Sequence, residues 1–157
     1  MSPSIFIHGL ESGNQGKKAL FFREKFPDML IPNFTGDLGE RMKKLTGVLF
    51  GKTGIRMVGS SFGGLMASIF AMENESRVDR LILLAPAINL IGFTEYASRE
   101  TYIPIHVYHG TNDDVIPLEN VGKVARNCFR NLTFHKVQDD HMLHSTFKTI
   151  DWDSLIG

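Results

Sequence analysis

The sequence predicts an α/β fold in three layers, with a doubly wound parallel sheet of about six strands. Three observations predict it. Short apolar runs alternate with helix-length amphipathic segments along the chain. Runs such as "LILLA" are apolar at successive positions, as strands covered by helices on both sides must be. The connections are long enough for crossovers and carry no tight hairpin signal, so neighbouring strands should run parallel.

In chain order the runs are Ser4 to His8, Met29 to Pro32, Ile55 to Gly59, Leu81 to Ala85, Ile105 to His109 and Leu132 to Val137. Amphipathic spacing predicts helices over about Gly16 to Phe26, Leu38 to Phe50, Phe62 to Met72 and Leu118 to Asn127, with another from His144 onward. No repeat, low-complexity tract or linker divides the 157 residues, so one domain over 1–157 is expected. Sheets of this kind bind ligands outside the carboxyl ends of their strands. The residues directly after each run are therefore the ones to inspect.

Bulk properties narrow the chemistry. Lys plus Arg and Asp plus Glu both total 17, so the formal charge is zero and nothing favours a nucleic acid or an anionic membrane. Cys128 is the only cysteine, which excludes an intramolecular disulfide and gives no sign of an oxidising compartment. The opening "MSPSIFIHGL" has no basic n-region, and no stretch approaches the length of a membrane span. A cytoplasmic chain with a small-molecule site is the expectation.

Three loops carry chemistry. After the third run, Gly59-Ser60-Ser61-Phe62-Gly63-Gly64 fits G-x-S-x-G with Ser61 at its centre. Small residues there permit a turn sharp enough to raise a serine above the sheet at a helix N-terminus. Ser60 is the rival hydroxyl, but the glycine spacing centres on Ser61, and Ser60 reads as a packing residue. After the fifth run, "HGTNDDVIP" offers Asp113 and Asp114. A serine needs a histidine to take its proton, and that histidine needs a carboxylate to fix its tautomer. Asp113 is placed for that role by its position in the loop, and Asp114 reads as a cap for the helix near Pro117. After the sixth run, "VQDDHMLHS" brings His141 directly off the strand end, with His144 a turn later and His135 inside the strand. Ser61, Asp113 and His141 thus follow one another in the order Ser, Asp, His, each after its own strand.

With these loops in hand, the chain resembles the α/β-hydrolase superfamily, most closely its small bacterial serine esterases. "FIHGLESGNQGKKALFF", "GSSFGG", "HGTNDD" and "DDH" carry the resemblance, which spans Ile5 to about His144. It implies a trimmed six-stranded version of that fold without a separate lid domain, and catalysis by Ser61, Asp113 and His141. It also implies an oxyanion hole from the backbone N–H groups of Phe62 and of Leu10, with Glu11 as the alternative to Leu10. His8 becomes a structural neighbour. Without a lid the site should be open, with Ile88, Leu90, Ile91, Phe93 and Tyr96 as candidate apolar lining. The expected reaction is cleavage of small or short-chain carboxylic esters or thioesters, with no metal and no organic cofactor.

Two rival readings stand against this. "GNQGKK" follows a strand and opens a helix, but Glu11 and Lys18 stand where a phosphate loop needs Gly and Ser or Thr. A non-catalytic binding or scaffold protein could keep the same fold. The intact Ser, Asp and His set argues against that alternative.

Overall fold

The computed structural model describes residues 2–157, except for the side chain of Ile91. Its sheet contains β1 (Ser4–Ile7), β2 (Ile55–Ser60), β3 (Val78–Leu84), β4 (Ile105–Gly110) and β5 (Leu132–Val137), side by side in that order. Every pairing is parallel. The helices are α1 (Lys17–Lys25), α2 (Leu38–Val48), α3 (Phe62–Glu73), α4 (Leu118–Cys128) and the single turn α5 (Trp152–Leu155). Among the described residues, no helix is long and apolar enough to cross a membrane.

Among the described residues the sheet has five strands, and the six expected from the sequence are corrected at Met29 to Pro32. Only Leu30 pairs with β1, donating to Ser4 O at 2.9 Å and accepting from Phe6 N–H at 3.0 Å. In a parallel ladder the next donor lies two residues on, at position 32, and proline has no N–H to give. The chain leaves the edge there, and Phe34 turns into the core with its N–H on the His8 ring.

Alternating strand residues divide the core between the two faces of the sheet. Ile5, Ile7, Met57, Leu81, Leu83, Ile105 and Val107 pack with α2, α3 and α4. Phe6, Val58, Ile82 and Leu84 pack on the opposite side with α1 and the C-terminal segment. Helix α3 runs against the middle of the sheet and buries every residue from Gly63 to Ala71, which is why it lacks a polar face there. Helix α2 begins at a reciprocal cap, with Asp37 Oδ1 accepting from Glu40 N–H at 2.8 Å and Glu40 accepting from Asp37 N–H at 3.3 Å.

The helix expected from His144 onward is replaced by a short 3₁₀ turn at Phe147–Thr149 and then α5. Asp139 explains the break, because its carboxylate takes the N–H groups of Ser145 (3.0 Å) and Thr146 (2.7 Å), and Asp151 caps a new start further on. Trp152 fixes this segment, with its ring 4.8 Å from that of Phe22 and its Nε1–H donating to Phe147 O at 2.9 Å. From β1 the chain crosses one face through α1 to the Leu30 edge, and it returns over the other face through α2 to β2. The crevice beyond the carboxyl ends of β1 and β2 is therefore a topological switch point, where such sheets bind ligands.

Candidate active site

Ser61 stands in that crevice. Its backbone is at φ 55° and ψ −116°, a conformation that L residues avoid and that persists only when the surroundings enforce it. They do so here: Ser61 N–H donates to Leu84 O at 2.9 Å, and Ser61 O accepts from Gly64 and Ala87, both at 2.9 Å. The elbow is tight because β2 and α3 nearly touch. A Cβ on Gly59 would lie 2.4 Å from Gly63 O, and one on Gly63 would lie 2.0 Å from Ile7 O, so neither position admits a side chain.

Three loops bring the predicted polar residues together. His141 Nε2 lies 3.1 Å from Ser61 Oγ, and His141 Nδ1 lies 2.7 Å from Asp113 Oδ2. The Asp113 side chain is fully buried, so its charge needs donors. Val115 N–H (2.9 Å) and Ile116 N–H (2.7 Å) supply them at Oδ1. The loops bearing Asp113 and His141 lie against each other at Gly110, where a Cβ would come within 2.3 Å of Asp139 O. Asp114 is exposed and faces the cleft, and the capping role expected of it is not seen, since Pro117 is the N-cap of α4 and no side chain caps that helix among the described residues. His144 is bound to Asp140 at 2.5 Å on the exposed side, and His135 stacks on Tyr108 within the sheet, so neither reaches Ser61.

Sequence reasoning missed one buried neighbour. His109 Nε2 lies 2.9 Å from Ile116 O and 3.2 Å from Asp113 Oδ2, with both side chains fully buried. Its Nε2–H is thus shared between the carbonyl and the carboxylate that faces His141, while its Nδ1 finds no partner among the described residues. Burial holds its pKa below the ordinary 6.5, which keeps the ring neutral and Nδ1 bare. A signal was present: Ile105, Val107 and His109 share one strand face, so a histidine occupies a position where the alternation calls for an apolar residue.

The loop after β1 closes the crevice. A Cβ on Gly9 would sit 3.3 Å from Ser61 Cβ, so this loop passes directly beside the serine. His8 is buried, and because Phe34 N–H donates to its Nε2 at 2.9 Å, its Nδ1 carries the proton and donates to Gly9 O at 2.7 Å. All described peptides are trans. The Leu10 N–H therefore points away from His8, opposite to Gly9 O. Phe62 N–H, at the first position of α3, has no intrahelical acceptor.

A cleft of about 510 Å³ opens over Ser61 and His141, walled by Gly9, Leu10, Phe62, Leu90 and Ile116. Leu10, Leu90, Val115 and Met142 are exposed around it, an apolar rim on a polar centre. Of the apolar lining expected from the sequence only Leu90 is found here. Ile88, Phe93 and Tyr96 are buried in the core behind α3, and the side chain of Ile91 lies outside the described residues. A second cavity, of about 370 Å³, adjoins the first across Ser12, Ser60 and Met142. Ser60, expected only to pack, thus lines both. Among the described residues, no group of three or more His, Cys, Asp or Glu side chains could hold a metal ion.

By sequence, the chain matches no protein-family model and no curated protein. Solved structures resemble it over most of its length. A structure of Est1E from Butyrivibrio proteoclasticus with ferulic acid bound superposes with a TM-score of 0.78 at 16% identity, covering 95% of this chain and 84% of that one. Mouse alpha/beta hydrolase domain-containing protein 10 gives 0.74 at 18% identity, covering 89% and 82%. MGS-MChE2, an alpha/beta hydrolase from the metagenome of Mar Chica lagoon sediments in Morocco, gives 0.71 at 16%, covering 94% and 86%. With its parallel sheet, its helices on both faces and these neighbours, the chain has the α/β-hydrolase fold.

Proposed function

We propose that the protein is a serine hydrolase that cleaves carboxylic esters or thioesters through an acyl-enzyme on Ser61. The observation that carries this reading is the unbroken chain of contacts from Ser61 Oγ to His141 to Asp113. Ser61 Oγ attacks the acyl carbon as His141 Nε2 takes its proton, and Asp113 accepts the Nδ1–H and steadies the imidazolium. The same Nε2 proton passes to the departing alcohol or thiol. Water then repeats the sequence at the acyl-enzyme, losing its proton to His141 and releasing Ser61 and the acid. The oxyanion of each tetrahedral intermediate is received by Phe62 N–H and Leu10 N–H. The orientation that His8 imposes on the Gly9–Leu10 peptide favours Leu10 over Glu11.

The open cleft and its apolar rim suit a small or short-chain acyl group. Hydrolase names among the structural neighbours, and the ferulic acid bound to Est1E, are in keeping with it. Hydrolysis of p-nitrophenyl acetate by the wild type, with kcat lowered by about 10⁶ in Ser61→Ala, is the expected result. Retention of most activity in that variant would remove Ser61 from the reaction, and an inactive wild type would leave a binding protein on a hydrolase fold.

A further inference from the structure

The cavity beside the catalytic cleft is built differently from the cleft itself. Its inner wall is apolar, from Phe6, Phe21, Leu143 and Phe147. Lysines also line it, and none of its lining residues is a carboxylate, although the chain as a whole is neutral. Two of its basic side chains are already engaged. Lys18 donates to Met142 O at 2.8 Å over the Phe147 ring and feels Asp139 and Asp140, and His144 is bound to Asp140. Lys17 and Lys148 are exposed, and neither has a carboxylate partner among the described residues. At about 370 Å³ the space lies within the range of small-molecule sites. It shares Ser12, Ser60 and Met142 with the cleft over Ser61, so a group held there can belong to the same molecule whose ester lies at the serine.

We propose that this cavity is a substrate subsite for an apolar arm ending in an anion, a carboxylate or phosphate, with the stem on Phe21 and Phe147 and the charge between Lys17 and Lys148. It rests on the serine-hydrolase reading and names the substrate class for it: anionic esters or thioesters. The arm can come from the acyl side or from the alcohol side. Exposed ion pairs are individually weak and screened by salt, so the preference should be modest, about fivefold, and should shrink as ionic strength rises.

The test compares kcat/KM within two matched pairs. For the acyl side these are p-nitrophenyl hexanoate and the p-nitrophenyl monoester of adipic acid. For the alcohol side they are the acetate esters of 4-propylphenol and of 3-(4-hydroxyphenyl)propanoic acid. The anionic member is expected to win in one pair, which identifies the side. That ratio should fall to about one in the double variant Lys17→Gln, Lys148→Gln and below one in Lys17→Glu, Lys148→Glu. Both lysines are exposed, and an unchanged Tm checks that the fold is kept. Ratios of one in both pairs, or a preference that the lysine variants leave intact, overturn the subsite. The neutral esters read the underlying activity separately: their Ser61-dependent hydrolysis without an anion preference defeats the subsite alone, whereas no Ser61-dependent hydrolysis of any ester defeats both readings.

Discussion

Asp113 and Asp114 are adjacent in the chain and chemically identical, yet their surroundings differ. Asp113 is fully buried, with one oxygen on two backbone N–H groups and the other on His141, whereas Asp114 is exposed at the cleft edge. Asp113→Asn presents an amide where a carboxylate accepted the Nδ1–H and should lower kcat by about 10⁴, while Asp114→Asn should change it by less than about threefold. The reverse ranking in steady-state kinetics would move the role to Asp114. His109 adds a further donor to the same carboxylate. His109→Phe removes it and strands Ile116 O, so kcat should fall by about tenfold with KM little changed, and His109→Gln should recover part of the loss. A loss in Tm without any loss in kcat would make His109 purely structural.

At the scale of elements, the sequence was most informative where a strand ends. Each of the runs that became a strand is followed by the loop whose side chain reaches the crevice, and the glycine spacing around Ser61 described a corner in which backbone meets backbone. Gly63→Ala tests that corner: the methyl group would meet Ile7 O, so β1 and α3 must part, costing about 3 kcal/mol in a urea titration. An unchanged midpoint would show that the elbow has room. The elements that misled did so for local reasons. Met29 to Pro32 is apolar like a strand, but the proline stands at the next donor position. From His144 onward the pattern looks helical, but Asp139, earlier in the chain, takes the N–H groups of Ser145 and Thr146. His109 was hidden because it reads as the last residue of an apolar run, and only its burial beside Asp113 gives it meaning. The second cavity was not legible at all, because its walls come from α1 and the segment after β5, which are far apart in the chain.

For the whole molecule, the histidines set how stability follows pH. Burial lowers the pKa values of His8, His106, His109 and His135 below the ordinary 6.5. In the window just below 6.5 the unfolded chain binds protons that the folded chain refuses, so stability must fall as pH falls through it. Tm should therefore drop between about pH 7.5 and about pH 5.5, and a flat or rising Tm would contradict the lowered pKa values of these rings. The C-terminal segment is the other global dependency, since Trp152 joins Phe22 and Phe147 in the core beneath the sheet. Trp152→Ala should cost about 3–5 kcal/mol, read from the unfolding midpoint, and a loss under about 1 kcal/mol would mean that this segment is not integral to the core. On the proposed serine-hydrolase reading Ser61 is the nucleophile, and one measurement tests that role without knowledge of the natural substrate. Incubation with a fluorophosphonate followed by peptide mass spectrometry should find one phosphonylated residue, Ser61, with labelling abolished in His141→Ala because the hydroxyl then lacks its base. An unlabelled wild-type protein, or a label on Ser60 instead, would contradict the account.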